Sequence, residues 1–219
     1  SSASEIRSVI AFIIGLFSSG HSIPMRSHIH RIEVRRLPGM RDVSGQAFQR
    51  VRQMADGLEA YLTGNGYEVI DTPLLEETEL FVRKSGGELT SQLYTFTDPG
   101  GSRVSLRPEF TSSIIRHFIQ AKGSLSVPVR WQYSGPVFRY KGDNDAYNQF
   151  TQVGAELIGS SGMEADAEAL FLAWEGLHEV GLQDCLIVIG HLGVLYDLMD
   201  QLGISEASKL FVVSSVQEL

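Results

Sequence analysis

One cysteine in 219 residues leaves no internal disulfide and no second thiol for a zinc site, so the fold has to rest on packing. Cys185 lies in the apolar run "DCLIVIG" and reads as core packing, which suits a reducing cytoplasm. The apolar run Val9 to Phe17 is too short to span a bilayer as a helix, and with only Arg7 before it, beside Glu5, it makes a weak signal peptide. No membrane role is expected, and the location expected is cytoplasmic. An excess of basic charge is also missing: 26 acidic against 18 basic side chains give −8, which excludes a surface that grips nucleic acid wholesale and leaves room for a local basic patch. There is no internal repeat and no low-complexity linker to cut the region from 38 to 180.

What is present is enough for a core: 43% of residues are apolar, in a chain sized for one large domain with extensions. Residues 1–36 read as an N-terminal extension. Met25 is a candidate start, so residues 1–24 are taken as non-native or upstream sequence and left out of the fold, and His28 and His30 in the basic leader lack companions for a metal. Residues 37–219 form the expected core, incomplete at its C-terminal end, where "VVSSVQEL" reads as part of another strand–helix unit.

Phe48, Val51, Met54, Ala55, Leu58 and Leu62 recur at spacings of three and four, which predicts an amphipathic helix over Gln46 to Leu62, stopped by Gly64 and Gly66. A strand over Tyr67 to Asp71, ended by Pro73, and a short helix in "ELFVRKSGG" follow. "LYTFTDPGGSRVSLRP" predicts a hairpin turning at Asp98 to Gly101, and Pro108 suits the first turn of the next helix. Strands over Pro128 to Tyr140 and Asn148 to Ile158, a helix over Met163 to Val180, a strand over Cys185 to Ile189 and a helix over Gly193 to Leu202 complete the pattern. Strand pairs on short turns, followed by helices, point to α+β with an antiparallel sheet.

Along the strand after the polar turn "KGDNDAY", side chains two apart share a face, so Asn148, Phe150, Gln152, Gly154 and Glu156 point one way. A buried amide and carboxylate cost a few kcal/mol each unless partnered, and Phe150 would be wasted in solvent. A cleft for a small, charged, partly flat molecule meets both objections. "SLRPEFTSS" adds Glu109 and Thr111 at a helix start, where each reads either as a ligand contact or as an N-terminal cap. Arg139 ends the preceding strand and reads either as a fork for a carboxylate or phosphate or as a surface ion pair. His117 reads as an exposed helical residue, and His191 opens a helix without an evident partner. "IGSSGM" lacks the lysine of a nucleotide loop and reads as a turn.

These segments resemble, in order, the class II aminoacyl-tRNA synthetases, and among them the histidyl-tRNA synthetase family. The helix–strand–Pro73 passage is similar to the first motif, "SGPVFRY" through "QFTQVGAELIG" to the second, and "LRPEFT" to the substrate-binding segment. "ETELFVRKSGG" and "LYTFTDPGG" lie between them, so the resemblance covers roughly residues 37 to 180. The resemblance implies a class II antiparallel sheet flanked by helices, with Glu109, Thr111, Gln152 and Glu156 holding L-histidine, Arg139 bridging its carboxylate and the α-phosphate of ATP as the catalytic residue, and Phe150 stacking on adenine. It implies ATP with Mg²⁺, a homodimer through Gln46 to Pro73, tRNA as partner, and no metal bound by the protein itself. Three positions depart from the family pattern. Lys141 replaces a glutamate, Asp143 and Asp145 stand where basic residues are usual, and Phe110 stands where glycine is preferred. The third motif and the anticodon-binding domain do not occur in these 219 residues. The amino-acid side of the pocket is thus expected intact and the nucleotide side degraded, with this piece alone inactive in ligation. The same core resembles the regulatory subunit of ATP phosphoribosyltransferase, which implies a histidine sensor paired with that enzyme's catalytic subunit. A ligand-free dimerisation scaffold is the third reading, and it requires Gln152 and Glu156 to be partnered within the protein.

Overall fold

The computed structural model describes residues 9–10, 35–82, 87–121, 123–142 and 147–217. Two compact units divide the chain, Ser1–Gln183 and Asp184–Leu219. His28, His30, Asp143 and Asp145 lie outside the described residues.

The larger unit is built on two long strands, β6 (Val129–Phe138) and β7 (Gln149–Ile158), paired antiparallel along their whole lengths from Val129↔Ile158 to Phe138↔Gln149. The two-residue strand β1 (Val9–Ile10) pairs antiparallel with β7 at Glu156 and Ala155. The equally short β2 (Glu68–Val69) lies on the far side of β6, giving the order β1-β7-β6-β2. The sheet is antiparallel except at β2, which runs parallel to β6. A parallel pair needs a crossover, and the chain between them supplies one. It comprises β3 (Leu75–Glu77), the short helices α2 (Thr78–Val82) and α3 (Gly87–Ser91), the hairpin β4 (Thr95–Thr97) and β5 (Arg103–Leu106), and α4 (Thr111–Ala121). Strands β3, β5 and β4 make a second, antiparallel sheet. The hairpin turns where its sequence predicts: Asp98 accepts Ser102 N–H at 2.8 Å, and Gly101 takes φ +88, which a residue with a Cβ rarely adopts.

The large sheet is covered on both faces. Against one lie α1 (Gly45–Gly64) and α5 (Met163–Glu179), whose Leu58, Leu62 and Leu172 pack, with Tyr67 just before β2, on Val153 and Ala155. On this face the buried Gln132 donates through Nε2 to Thr63 Oγ1 and to the carbonyls of Glu59 and Tyr67, and Arg130 grips Glu168 of α5 at 2.7 and 2.8 Å. Against the other face lies α4, whose Ile114, Ile115 and Phe118 pack with Phe110 on Val129, Trp131, Tyr133, Val137 and Ile158.

Several expectations are corrected. The apolar stripe of α1 is buried only at its C-terminal half, and Phe48 remains 48% exposed. Helix α4 starts at Thr111, not at Pro108, because the Glu109 carboxylate already occupies the Ser112 N–H at 3.1 Å. No strand forms at 185–189, where Leu186 and Val188 are more than four-fifths exposed and Cys185 is half-buried rather than core. Apolar, β-branched composition does not make a strand without a neighbour to take its backbone groups. Within the smaller unit, α6 (Leu192–Gln201) is capped by His191, whose Nδ1 accepts Val194 N–H at 3.2 Å. The end of the chain forms a helix, α7 (Glu206–Gln217), whose Lys209 bonds both Asp200 and Glu206. No helix among the described residues is long and apolar enough to cross a membrane.

Candidate functional site

The β6–β7 register decides what lines the sheet face under α4. Trp131 faces Glu156, Tyr133 faces Gly154, Gly135 faces Gln152, and Val137 faces Phe150. Large residues alternate with glycines across the ladder, and each gap is filled from the side. A Cβ on Gly154 would fall on the Tyr133 hydroxyl, while one on Gly135 would meet the Arg107 guanidinium at 2.7 Å and the Phe110 ring at 3.1 Å. Phe110, fully buried, stacks on Tyr133 with ring centroids 4.4 Å apart and 16° between planes, and the Arg107 guanidinium lies 3.7 Å from the centre of its other face.

Glu156 sits at the centre of the polar part, with no exposed surface. Thr111 O–H donates to its Oε1 at 2.7 Å, and Tyr133 O–H reaches the same oxygen at 3.4 Å. Burial pushes the Glu156 carboxyl from 4.5 up to about 8; the Thr111 bond opposes this, and the nearby Glu109 charge adds to it. Burial, with the Glu156 charge beyond it, also drives the Tyr133 phenol upward, so it acts as a donor. Among the described residues Glu156 Oε2 has no partner, and neither polar atom of the fully buried Gln152 has one. An unsatisfied buried amide or carboxyl costs on the order of 1–3 kcal/mol or more, so two on one face need a reason. Gln152 and Glu156 lie about 13 Å apart along the strand with Gly154 between them, at about 3.3 Å per residue.

Arg139 follows the last residue of β6. Its Nε donates to Pro108 O at 2.9 Å, and its guanidinium lies 5.3 Å from the Phe150 ring centre. The structure therefore brings Thr111 onto Glu156, sets Glu109 close enough for its charge to act there, and holds Arg139 and Phe150 together beside the Pro108–Glu109 turn. Gln152 shares the face but makes no side-chain hydrogen bond to the others. Of the two readings of "PEFT", each residue takes one: Glu109 caps Ser112, and Thr111 turns inward to Glu156. Asn148, expected in the same row, sends its amide elsewhere, to Pro38 O and Lys141 N–H. A guanidinium beside an aromatic ring suits the phosphate and base of a nucleotide. Among the described residues no three His, Cys, Asp or Glu side chains converge as metal ligands.

Two residues here had no place in the sequence reading. Tyr133 is found only by asking what fills the gap above Gly154. Arg107, almost wholly buried, donates to Pro136 O at 3.0 Å and Thr72 O at 2.6 Å and so fastens the turn to the sheet.

The profile of the family described as "Histidyl-tRNA synthetase" matches residues 39–218. The histidine–tRNA ligase of Pyrococcus horikoshii is 36% identical over 174 residues, covering 79% of this chain and 40% of that protein. Among solved structures, a histidine–tRNA ligase subunit from Alicyclobacillus acidocaldarius superposes with a TM-score of 0.70 at 30% identity, over 84% of this chain and 53% of that one. An ATP phosphoribosyltransferase regulatory subunit/histidyl-tRNA synthetase from Bacillus halodurans superposes with 0.64 at 28% identity, over 70% and 40%. The chain spans about two fifths of the length of the curated relatives it matches.

Proposed function

Because the chain belongs to the histidyl-tRNA synthetase family, we propose that its Thr111–Glu156 face is the amino-acid side of a class II catalytic core and binds free histidine. The observation that carries this reading is the pair of unsatisfied buried groups on one strand face, Glu156 Oε2 and the whole Gln152 amide. An ammonium at Glu156 turns its ionisation from a cost into a gain, with Thr111 and Glu109 beside it. The Gln152 amide offers a donor and an acceptor to the polar ring, and Arg139 offers its fork to the carboxylate. In the longer protein, Arg139 as catalytic residue and Phe150 as adenine platform serve ATP-dependent histidine activation. There the work is positioning and charge neutralisation, ahead of transfer to tRNA, with Mg²⁺ accompanying ATP.

A homodimer through Gln46 to Pro73 fits the same picture, since Phe48 and Val69 in that stretch keep about half their surface exposed. A cytoplasmic location goes with it. The second reading, a histidine sensor paired with an ATP phosphoribosyltransferase catalytic subunit, is favoured by the likeness to the dual-named Bacillus halodurans protein. A ligand-free scaffold requires Gln152 and Glu156 both to be partnered within the protein; Thr111 and Tyr133 meet that demand at Glu156 Oε1, but among the described residues nothing meets it at Glu156 Oε2 or at the Gln152 amide, which disfavours this reading.

Separate calorimetric titrations with L-histidine, L-lysine and ATP test the proposal. Histidine binding without lysine binding supports it. ATP binding as well, with histidine-dependent pyrophosphate exchange in the longer chain, marks the synthetase; histidine alone marks the sensor. No histidine binding overturns both.

A further inference from the structure

Asn148 heads the polar row of β7 but does not line the face that Gln152 and Glu156 share. It is fully buried, and both ends of its amide are used: Oδ1 accepts Lys141 N–H at 2.9 Å across the turn, and Nδ2 donates to Pro38 O at 3.3 Å. Its backbone is used as fully, with N–H donating to Gly39 O at 2.8 Å and C=O accepting Arg139 N–H at 2.8 Å. One residue thus joins the exit of β6, the entry of β7 and a segment more than a hundred positions earlier. Gly39 makes this possible, because at φ +72 it needs no Cβ, and a Cβ there would fall on the Asn148 amide. Two residues on, the Arg41 guanidinium lies 3.6 Å from the centre of the Tyr147 ring, so the same segment grips the turn a second time.

A polar turn between two strands does not need an anchor of this kind to close, since β6 and β7 already pair over ten positions. What the anchor adds is the placement of the residue next to it. Arg139 has its backbone N–H on Asn148 and its Nε on Pro108, so a shift of either acceptor changes the direction of its guanidinium fork. We propose that Asn148, locked under Pro38–Gly39, is a positioning residue that aims Arg139 at the anionic group of the bound amino acid; this rests on the histidine reading of the site.

The test compares L-histidine with histamine, which keeps the ring and ammonium and lacks the carboxylate, by calorimetry on Asn148→Ala and Gly39→Ala. Loss of one charge-assisted contact is expected to weaken histidine roughly tenfold and leave histamine within about twofold. The Arg139 and Lys141 amides, followed by hydrogen exchange without ligand, are expected to exchange about tenfold faster. Asn148→Asp, which keeps the acceptor for Lys141 and removes the donor to Pro38, serves if either alanine variant does not fold. A histidine-to-histamine ratio equal to wild type, an equal loss for both ligands, or unchanged exchange at Arg139 and Lys141 overturns the proposal. Wild-type protein that binds neither ligand overturns the histidine reading instead, and the exchange rates then still decide whether Asn148 holds Arg139.

Discussion

Replacing Glu156 by glutamine should change how stability depends on pH more than it changes stability at any single acid pH. The carboxyl is held at about 8 by burial, whereas the unfolded chain ionises it near 4.5. Raised in the folded state, it contributes stability that is fully present below 4.5 and lost as pH climbs to about 8, because over that window folding must take up a proton. At about 1.4 kcal/mol per pH unit across that window, the loss is on the order of 5 kcal/mol, a large fraction of a domain's total stability. Glutamine keeps the shape, accepts the Thr111 hydroxyl through its carbonyl oxygen and does not titrate. Urea unfolding of both proteins at pH 5, 6.5 and 8 is therefore expected to give similar stabilities at pH 5 and a variant more stable by a few kcal/mol at pH 8. The same argument links the ligand, since an ammonium that favours the carboxylate must expel its proton. Wild-type histidine affinity should rise between pH 6 and 8, with up to one proton released per ligand, seen as a dependence of the binding enthalpy on the buffer. Parallel stability profiles for the two proteins would refute the reasoning at its root, because Glu156 would then ionise alike folded and unfolded.

Gln152→Met removes a buried amide that satisfies neither of its ends, so thermal unfolding should show a gain of about 1–3 kcal/mol while histidine binding is lost; a destabilised variant would mean that the amide is partnered in the free protein. Gly154→Ala puts a methyl on the Tyr133 hydroxyl, which must leave the Glu156 oxygen, and a loss of about 1–3 kcal/mol with weaker histidine binding is expected; a melting temperature and affinity equal to wild type would show that the tyrosine has room to spare.

The parts of the fold legible in the sequence are those whose signal is local. The two long strands β6 and β7, the helices α1 and α5 and the hairpin turn at Asp98 to Gly101 form where the sequence places them, although only the C-terminal half of the α1 stripe is buried. The candidate site was legible to the same depth: Gln152 and Glu156 share a face because the strand period is two. What lies across the ladder was not, because the register of β6 against β7 depends on how many residues the intervening turn consumes, so Tyr133 over Gly154 cannot be counted out in advance. The choice between cap and ligand contact at "PEFT" was equally out of reach, since the partner that draws Thr111 inward lies 45 positions away. The failed strand at 185–189 shows the opposite limit: a short apolar run carries the same composition whether or not a neighbouring strand exists to pair with it. His191 caps α6 with a ring nitrogen, a role that reading Ser, Thr, Asp and Asn as the cap residues passes over.

Phe110, which the resemblance noted in the sequence sets against an expected glycine, is where local and long-range reasoning meet. Read alone, its ring threatens a close backbone approach. In the folded chain it is the piece that makes the rest fit, because Gly135 leaves a hole in the sheet face and Arg107 has to be buried to reach Pro136 and Thr72. Burial pulls the Arg107 guanidinium below its usual range, with Asp71 opposing, so the charge is carried inward at a cost that the two carbonyls and the flat ring of Phe110 offset. The other side of that ring supports Tyr133, and Tyr133 supports Glu156. A small residue at 110 would open a void beneath Arg107 and release the tyrosine, so the bulky side chain belongs to the support of Glu156 while narrowing the space beside Gln152. If histidine binds here as proposed, its ammonium and its polar ring must meet Glu156 and Gln152 across this aromatic ridge.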